Sequence, residues 1–234
     1  MAFSTMSEIV LDEIREDILS GRLKPGVKID QNQLKERFGI SAIPIREAIH
    51  RLQSEGYVDI VPHRGVHVKP LSREEIEDLY LVRAEVEVLA ARLALENLTD
   101  DDVAELRELF GQMSQLTDSG AYGELLKVNR RFHYTIYRAC RRLHLLQILD
   151  ELWMRSSRYR SLVTVKPSRA KRAIDEHRAI LDACVARDGE ALERAIRRNV
   201  EETRRVIGMA PDSIEFPLSA QPADQSKVEV VRGG

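Results

Sequence analysis

Residues 28 to 58, KIDQNQLKERFGISAIPIREAIHRLQSEGYV, constrain the fold more than any other stretch. They hold two short segments of helical period separated by a three-residue turn, and such a pair has few ways to close a core. Asp30 stands where a helix cap belongs, with Gln33 in the capping-box place and Ile29 able to staple onto Leu34. Gly39 stops that helix after Phe38. Ser41 can cap the next one, and Pro44 is tolerated in its first turn, where the amide has no intrahelical partner. The buried positions of this later helix are Ile45, Ala48, Ile49 and Leu52, and Gly56 ends it.

The neighbours complete the unit. Residues 7–20 read as an amphipathic helix, with Ile9, Val10, Ile14, Ile18 and Leu19 at helical spacing, closed by Gly21 and by Pro25-Gly26. After Gly56 the period changes to two. Val58 and Ile60, then Val66 and Val68, alternate with polar residues across Pro62-His63-Arg64-Gly65, which predicts a β-hairpin. Three helices with a tight turn before the third, followed by a hairpin, spell a winged helix-turn-helix.

From Ser72 onward the pattern is helix after helix, with spans expected at 73–97, 100–118, 121–140, 142–162, 168–187 and 189–208. The expected class is therefore mainly α: a winged helix-turn-helix with a small hairpin wing over residues 1–70, then an all-α six-helix bundle over 71–209. Residues 210–234 show no period and read as a disordered tail.

The chain carries a net charge of −2, which argues against indiscriminate attraction to nucleic acid. A DNA contact must come from a local patch. Between residues 35 and 69 there are 6 basic residues (Lys35, Arg37, Arg46, Arg51, Arg64, Lys69) against 4 acidic ones (Glu36, Glu47, Glu55, Asp59). Cys140 and Cys184 each fall in an apolar helical stripe and read as buried thiols in a reducing compartment. With no signal-peptide core and no apolar run near the roughly 20 residues a span needs, a cytoplasmic protein with no membrane partner is expected.

With Ile45, Ile49 and Leu52 inward, the outer stripe of the third helix is Ala42, Arg46 and His50. Arg46 suits a phosphate or a guanine edge, unless it merely pairs with Glu47 or Glu36. Gln31, Asn32, Gln33 and Lys35 can reach phosphates from the preceding helix, and His63, Arg64 and Gly65 form the wing tip. In the bundle, polar residues interrupt apolar stripes: Arg83 and Glu87 in the first helix, Asn129 and His133 in the third, His177 in the fifth, Asn199 and Thr203 in the last. Each alone reads as a satisfied core residue. Together, on four helix faces, they suggest a shared polar cavity.

The stretch ISAIPIREAIHRLQSEGYVDIVPHRGVHV, with KPGVKIDQNQLKERFGIS before it, resembles the winged-helix domain of the GntR family of bacterial regulators. The resemblance rests on Ser-x-x-Pro-x-Arg-Glu-Ala, the Glu-Gly pair and Pro-x-Arg-Gly, and spans residues 7 to 70. Two arginines usual in the family are Asn32 and Ala42 here, leaving Arg46, so weaker phosphate binding and a flatter salt dependence are implied. Ser41 opens the reading helix, and Ile43 could touch a thymine methyl.

LVRAEVEVLAARLA, NRRFHYTIYRA and Glu176-His177 resemble the FCD effector domain of the FadR subfamily, its six helices being nearer the VanR-like branch. That resemblance implies a homodimer on a two-fold double-stranded DNA operator, usually a repressor, with a small carboxylate effector near a divalent metal (Zn, Ni or Mn). The ligands it implies are Asn129, His133 and His177, with Asn199 replacing the usual fourth histidine. Two imidazoles and two neutral amides bring no negative charge, so the site is either weakened or lost. If lost, the same residues would bind an organic effector directly, and Arg83 would hold its carboxylate. Two alternatives stand beside this reading: a DNA-binding dimer with a vestigial pocket, and a metal-dependent enzyme on Asn129, His133 and His177. The enzyme has only Glu87 as a candidate base and no nucleophile motif.

Overall fold

The computed structural model describes residues 5–70, 72–164 and 167–208. The tail expected at 210–234 lies outside the described residues. Helix α1 (Met6–Leu19) is followed by a two-residue strand β1 (Lys28–Ile29), then α2 (Gln31–Phe38), α3 (Ala42–Ser54), β2 (Val58–Val61) and β3 (Gly65–Val68). The remainder is α4 (Arg73–Ala94), α5 (Asp100–Ser119), α6 (Tyr122–Tyr137), α7 (Leu143–Thr164), α8 (Pro167–Ala186) and α9 (Gly189–Gly208). A mainly helical chain with a winged helix-turn-helix ahead of a helical bundle is what the sequence predicts.

Differences are local. The expected helices over 73–97 and 121–140 each tighten into a 3₁₀ turn at the C-terminal end, at Leu95–Asn97 and Arg138–Cys140. The wing holds a third strand that two residues of alternation could not announce. β1 pairs antiparallel with β3, and the order is β1-β3-β2. In α1 the buried face is Val10, Leu11, Ile14 and Ile18, whereas Ile9 is 40% exposed.

Two caps also differ. Asp30 accepts from the amides of Asn32 and Gln33 as expected, but no return bond from the Gln33 side chain closes a capping box among the described contacts. Ser41 occupies the N-cap of α3 without a side-chain cap bond, which leaves its hydroxyl for another partner.

The winged domain closes on one apolar cluster in which Val10, Ile14, Ile45, Ile49, Leu52, Val58, Val66 and Val68 meet. In the bundle α4 packs along α9, α5 against α6 and α8, and α7 against α4. Phe132, Ile136, Leu149, Ile180, Leu192 and Ile196 join its main core. Cys140 and Cys184 are free and buried there. No helix among the described residues is long and apolar enough to cross a membrane.

Helix α5 is nucleated by a full capping box: the Thr99 hydroxyl accepts from the Asp102 amide while Asp102 accepts from the Thr99 amide. Thr99→Ala is expected to cost about 1 kcal/mol of unfolding free energy, the usual worth of such a cap. Urea denaturation would show this as a lower midpoint with an unchanged slope.

Candidate nucleic-acid interface and polar cavity

The reading face is built by the cap and core of α3. With Ile45, Ala48, Ile49 and Leu52 buried, Arg46 and His50 are turned outward and exposed. Ile43 stands at 68% exposure beside Ala42, which is half-buried. Asn32 and Gln33 are exposed and Lys35 half-buried on α2, while His63 and Arg64 are exposed at the wing tip. His63 and Gly65 take positive φ values of 61° and 95°, which close the turn between β2 and β3.

The charge there is sharper than the residue count implied. Arg37 is held by Asp17 and Glu13, and Lys69 by Glu75. Among the described residues Lys35, Arg46, Arg51 and Arg64 make no ion pair, so neither Glu47 nor Glu36 captures Arg46. Lys28 was not foreseen in this role. Its stem runs over Gly65, with Cε 3.2 Å from where a Cβ would stand, so a further cation lies along the wing. Only the pairing of β1 with β3 brings it there.

The bundle holds a cavity of about 60 Å³, room for a few waters or a short ligand. Arg83, Asn129, His133, Asn199 and Thr203 line it, whereas Glu87 and His177 lie behind the wall. Arg83 and Glu87 do pair, Nε and Nη2 both donating to Oε1 at 2.8 and 2.6 Å. Both side chains are buried, at 3% and 0% exposure. The guanidinium is also sandwiched, 4.6 Å from the Tyr80 ring centre and 5.0 Å from that of Trp153. Burial is the largest influence and works against its charge, but Glu87, with Tyr80 and Tyr137, together outweighs it and holds the Arg83 pKa above its ordinary value. The edge of the guanidinium expected to grip a ligand is thus partly spent on Glu87. Its Nη1 is buried with no hydrogen-bond partner among the described residues, as is the hydroxyl of Thr117, which also lines the cavity.

From Glu87 a polar chain runs inward. Tyr137 donates its hydroxyl proton to Glu87 Oε2 at 2.7 Å, and burial first, then that carboxylate, push the phenol well above its usual range. The Tyr137 oxygen lies 3.2 Å from His133 Nδ1, and His133 Nε2 lies 3.0 Å from His177 Nε2. His177 Nδ1 sits 2.6 Å from the Ala173 carbonyl, so it donates there and leaves a lone pair on Nε2. Asn129 Nδ2 reaches the same Nε2 at 2.8 Å. With the Tyr137 proton committed to Glu87, the Tyr137 oxygen accepts from His133 Nδ1, and the two Nε2 atoms then face each other at 3.0 Å. A shared proton, or one cation ligated by both, would relieve that contact.

Asn199 is not part of this convergence. Its amide donates to Glu176 Oε2 at 2.8 Å, and Glu176 is gripped by Arg169 Nη1 and Nη2 at 3.0 and 2.9 Å. Arg169 Nη2 also donates to the Thr203 hydroxyl at 3.1 Å, while Thr203 donates to the Asn199 carbonyl. Burial raises the Glu176 carboxyl above its ordinary value despite Arg169 and Asn199. Among the described residues no three His, Cys, Asp or Glu side chains gather as a metal cluster. What converges is Asn129, His133 and His177, while Asn199 lines the same cavity with its amide on Glu176.

Thr117, Trp153 and Arg169 line the cavity without having been foreseen. For Arg169 a signal existed: the stripe Ala173-His177-Ile180, extended back one turn, lands on it. Thr117 and Trp153 carried no such signal, since both sit in apolar stripes as ordinary core residues.

An exposed cationic helix and wing, ahead of a bundle with a polar cavity, mark a DNA-binding protein. Residues 6–68 match the bacterial regulatory proteins of the gntR family, and residues 78–202 match the FCD domain. The chain belongs to the GntR family of transcriptional regulators, whose FCD-bearing members are regulators and not enzymes. It is 27% identical over 200 residues to the HTH-type transcriptional regulator McbR of Escherichia coli K12, covering 85% of this chain and 90% of that one. It is 24% identical over 189 residues to the HTH-type transcriptional repressor RspR of the same organism, covering 81% and 83%. The solved structure of E. coli McbR/YncC superposes with a TM-score of 0.74 at 26% identity, over 88% of this chain and 98% of that one.

Arg46→Ala is expected to weaken binding to a specific duplex by about 1–3 kcal/mol per contact. Its melting temperature should stay at the wild-type value, because the side chain is exposed and unpaired. Equal affinity in a binding titration would remove Arg46 from the reading face.

Proposed function

We propose that the chain is a ligand-responsive repressor that binds a two-fold operator as a homodimer and answers to a small carboxylate in the bundle cavity. The observation that carries this reading is the two buried, unsatisfied donors in the lining of that cavity, Arg83 Nη1 and the Thr117 hydroxyl. A buried donor without a partner costs about 1–3 kcal/mol, and a ligand oxygen set between them recovers it. A carboxylate is favoured over a neutral group because the unused Nη1 edge belongs to a charged guanidinium, and a carboxylate oxygen accepts more strongly from such a donor than a neutral oxygen does.

A divalent ion such as Zn, Ni or Mn would be held by His133 Nε2, His177 Nε2 and the Asn129 amide oxygen after a flip of that amide. His177 is already oriented for ligation by its bond to Ala173, as ligating imidazoles usually are. The ion would supply a positive anchor for the effector carboxylate. Without an anionic ligand its retention is weak, and the direct route through Arg83 and Thr117 does not require it. For the dimer, α4 offers an exposed apolar stripe, Leu81, Val82 and Leu89. The repressor sense is supported by RspR, a transcriptional repressor.

Two measurements test this reading. Thr117→Val keeps the shape and removes the orphan hydroxyl, so the free protein should gain about 1 kcal/mol in stability. At the same time its operator affinity should respond less to a panel of two- to six-carbon carboxylates than the wild type, whose shift should fall in the roughly 5–150-fold range of allosteric coupling. A variant that loses stability, or responds as the wild type does, would remove Thr117 from the site. Elemental analysis of chelator-free wild type and His133→Ala checks the ion. About one metal per chain, lost in the variant, would place it on His133; no uptake from excess Zn, Ni or Mn would leave the direct route alone.

A further inference from the structure

Helix α7 carries two side chains four residues apart, hence on one face, that serve different parts of the molecule. Trp153 lines the cavity, its ring centre 5.2 Å from that of His133 and 5.0 Å from the Arg83 guanidinium. Ser157, one turn on, is hydrogen-bonded to the hydroxyl of Tyr57 in the winged domain. The Ser157 hydroxyl gives its own proton to the Met154 carbonyl at 2.6 Å, so Tyr57 is the donor in that contact.

Tyr57 is the joint of the winged domain. It is 2% exposed and sits between the reading helix and the wing. Its amide donates to the Leu52 carbonyl in the last turn of α3, and its carbonyl accepts from the Lys69 amide just past β3. The Arg15 guanidinium lies 5.9 Å from its ring centre and is itself fixed on Glu55 by bonds of 2.7–3.2 Å. A displacement passed from the ring to the Tyr57 backbone therefore reaches both α3 and the wing, since that backbone is bonded to each.

We propose that Tyr57 is a positioning residue through which α7 couples the state of the cavity at Trp153 to the placement of the reading helix and wing. The inference rests on the cavity being the effector site. A ligand against Arg83 meets the Trp153 ring stacked on it, and a shift of α7 reaches Tyr57 within one helical turn.

The chain has a single tryptophan, so its intrinsic emission comes from Trp153 alone. Coupling is reciprocal: if the cavity biases the DNA-binding face, DNA must perturb the cavity. The full chain is titrated with a duplex selected from a random library for tight binding, with no effector present, and Trp153 emission is followed. The wild type should show a saturable change at the stoichiometry of binding. Tyr57→Phe and Ser157→Ala should bind the same duplex by anisotropy, melt within a few degrees of wild type, and lose the emission change. An unchanged wild-type emission at saturation, or a full change in either variant while it binds, overturns the proposal.

The effector reading fails separately. In that case carboxylates leave operator affinity untouched while the DNA-driven emission change persists. If instead carboxylates shift the affinity of Tyr57→Phe as much as that of the wild type, the effector reading stands and the Tyr57 route falls.

Discussion

The bundle is organised around a charge that cannot leave its core. Arg83 and Glu87 are both buried, and an ion pair taken out of water is stable only when its remaining hydrogen-bonding capacity is also met. Glu87 meets part of that need through Tyr137, and Tyr137 leads on to His133 and His177. A second buried pair, Arg169 with Glu176, is completed by Asn199 and Thr203. The cavity lies between the two, touching both arginines. Its polarity is thus a consequence of burying two ion pairs in a helical core, and its unsatisfied Nη1 is the residue of that arrangement.

The other face of the molecule follows the opposite logic. Cations on the winged domain are either tied to carboxylates, as Arg37 and Lys69 are, or left exposed, as Arg46 and Arg64 are. Phosphate binding draws on the second group only. A chain with net charge −2 can therefore present a positive surface without attracting nucleic acid indiscriminately. The missing cap bond at Ser41 belongs to the same account, since a hydroxyl not spent on its own helix remains available at the first turn of the reading helix.

Legibility in the sequence tracked how local the determining physics was. Asp30 announced α2, Gly39 its end, and the alternation of Val58, Ile60, Val66 and Val68 the hairpin, because caps and periods act within a few residues. The same is true of the Arg83–Glu87 pair, one helical turn apart. Lys28, by contrast, reaches the wing only through a strand of two residues paired to one nearly forty residues later. Asn199 was placed with the histidines by resemblance, yet Glu176 claims its amide, a competition between two buried partners on different helices. Trp153 and Thr117 read as plain core, because nothing in an apolar stripe tells which of its members borders a void.

What the sequence alone determined is the class of protein: a winged helix-turn-helix ahead of a helical bundle, with a polar interior. Helix signals, turn residues and an unusual density of polar groups on apolar faces are properties of short windows, and a chain carries them before it folds. What the tertiary structure decided is which polar groups meet. Arg83 is buried with Nη1 left over from its pair with Glu87, Asn199 turns to Glu176, two imidazoles face each other across 3.0 Å, and Tyr57 joins the winged domain to α7. Apart from the Arg83–Glu87 pair, each of these is settled by helix packing that brings together residues 23 to 100 positions apart.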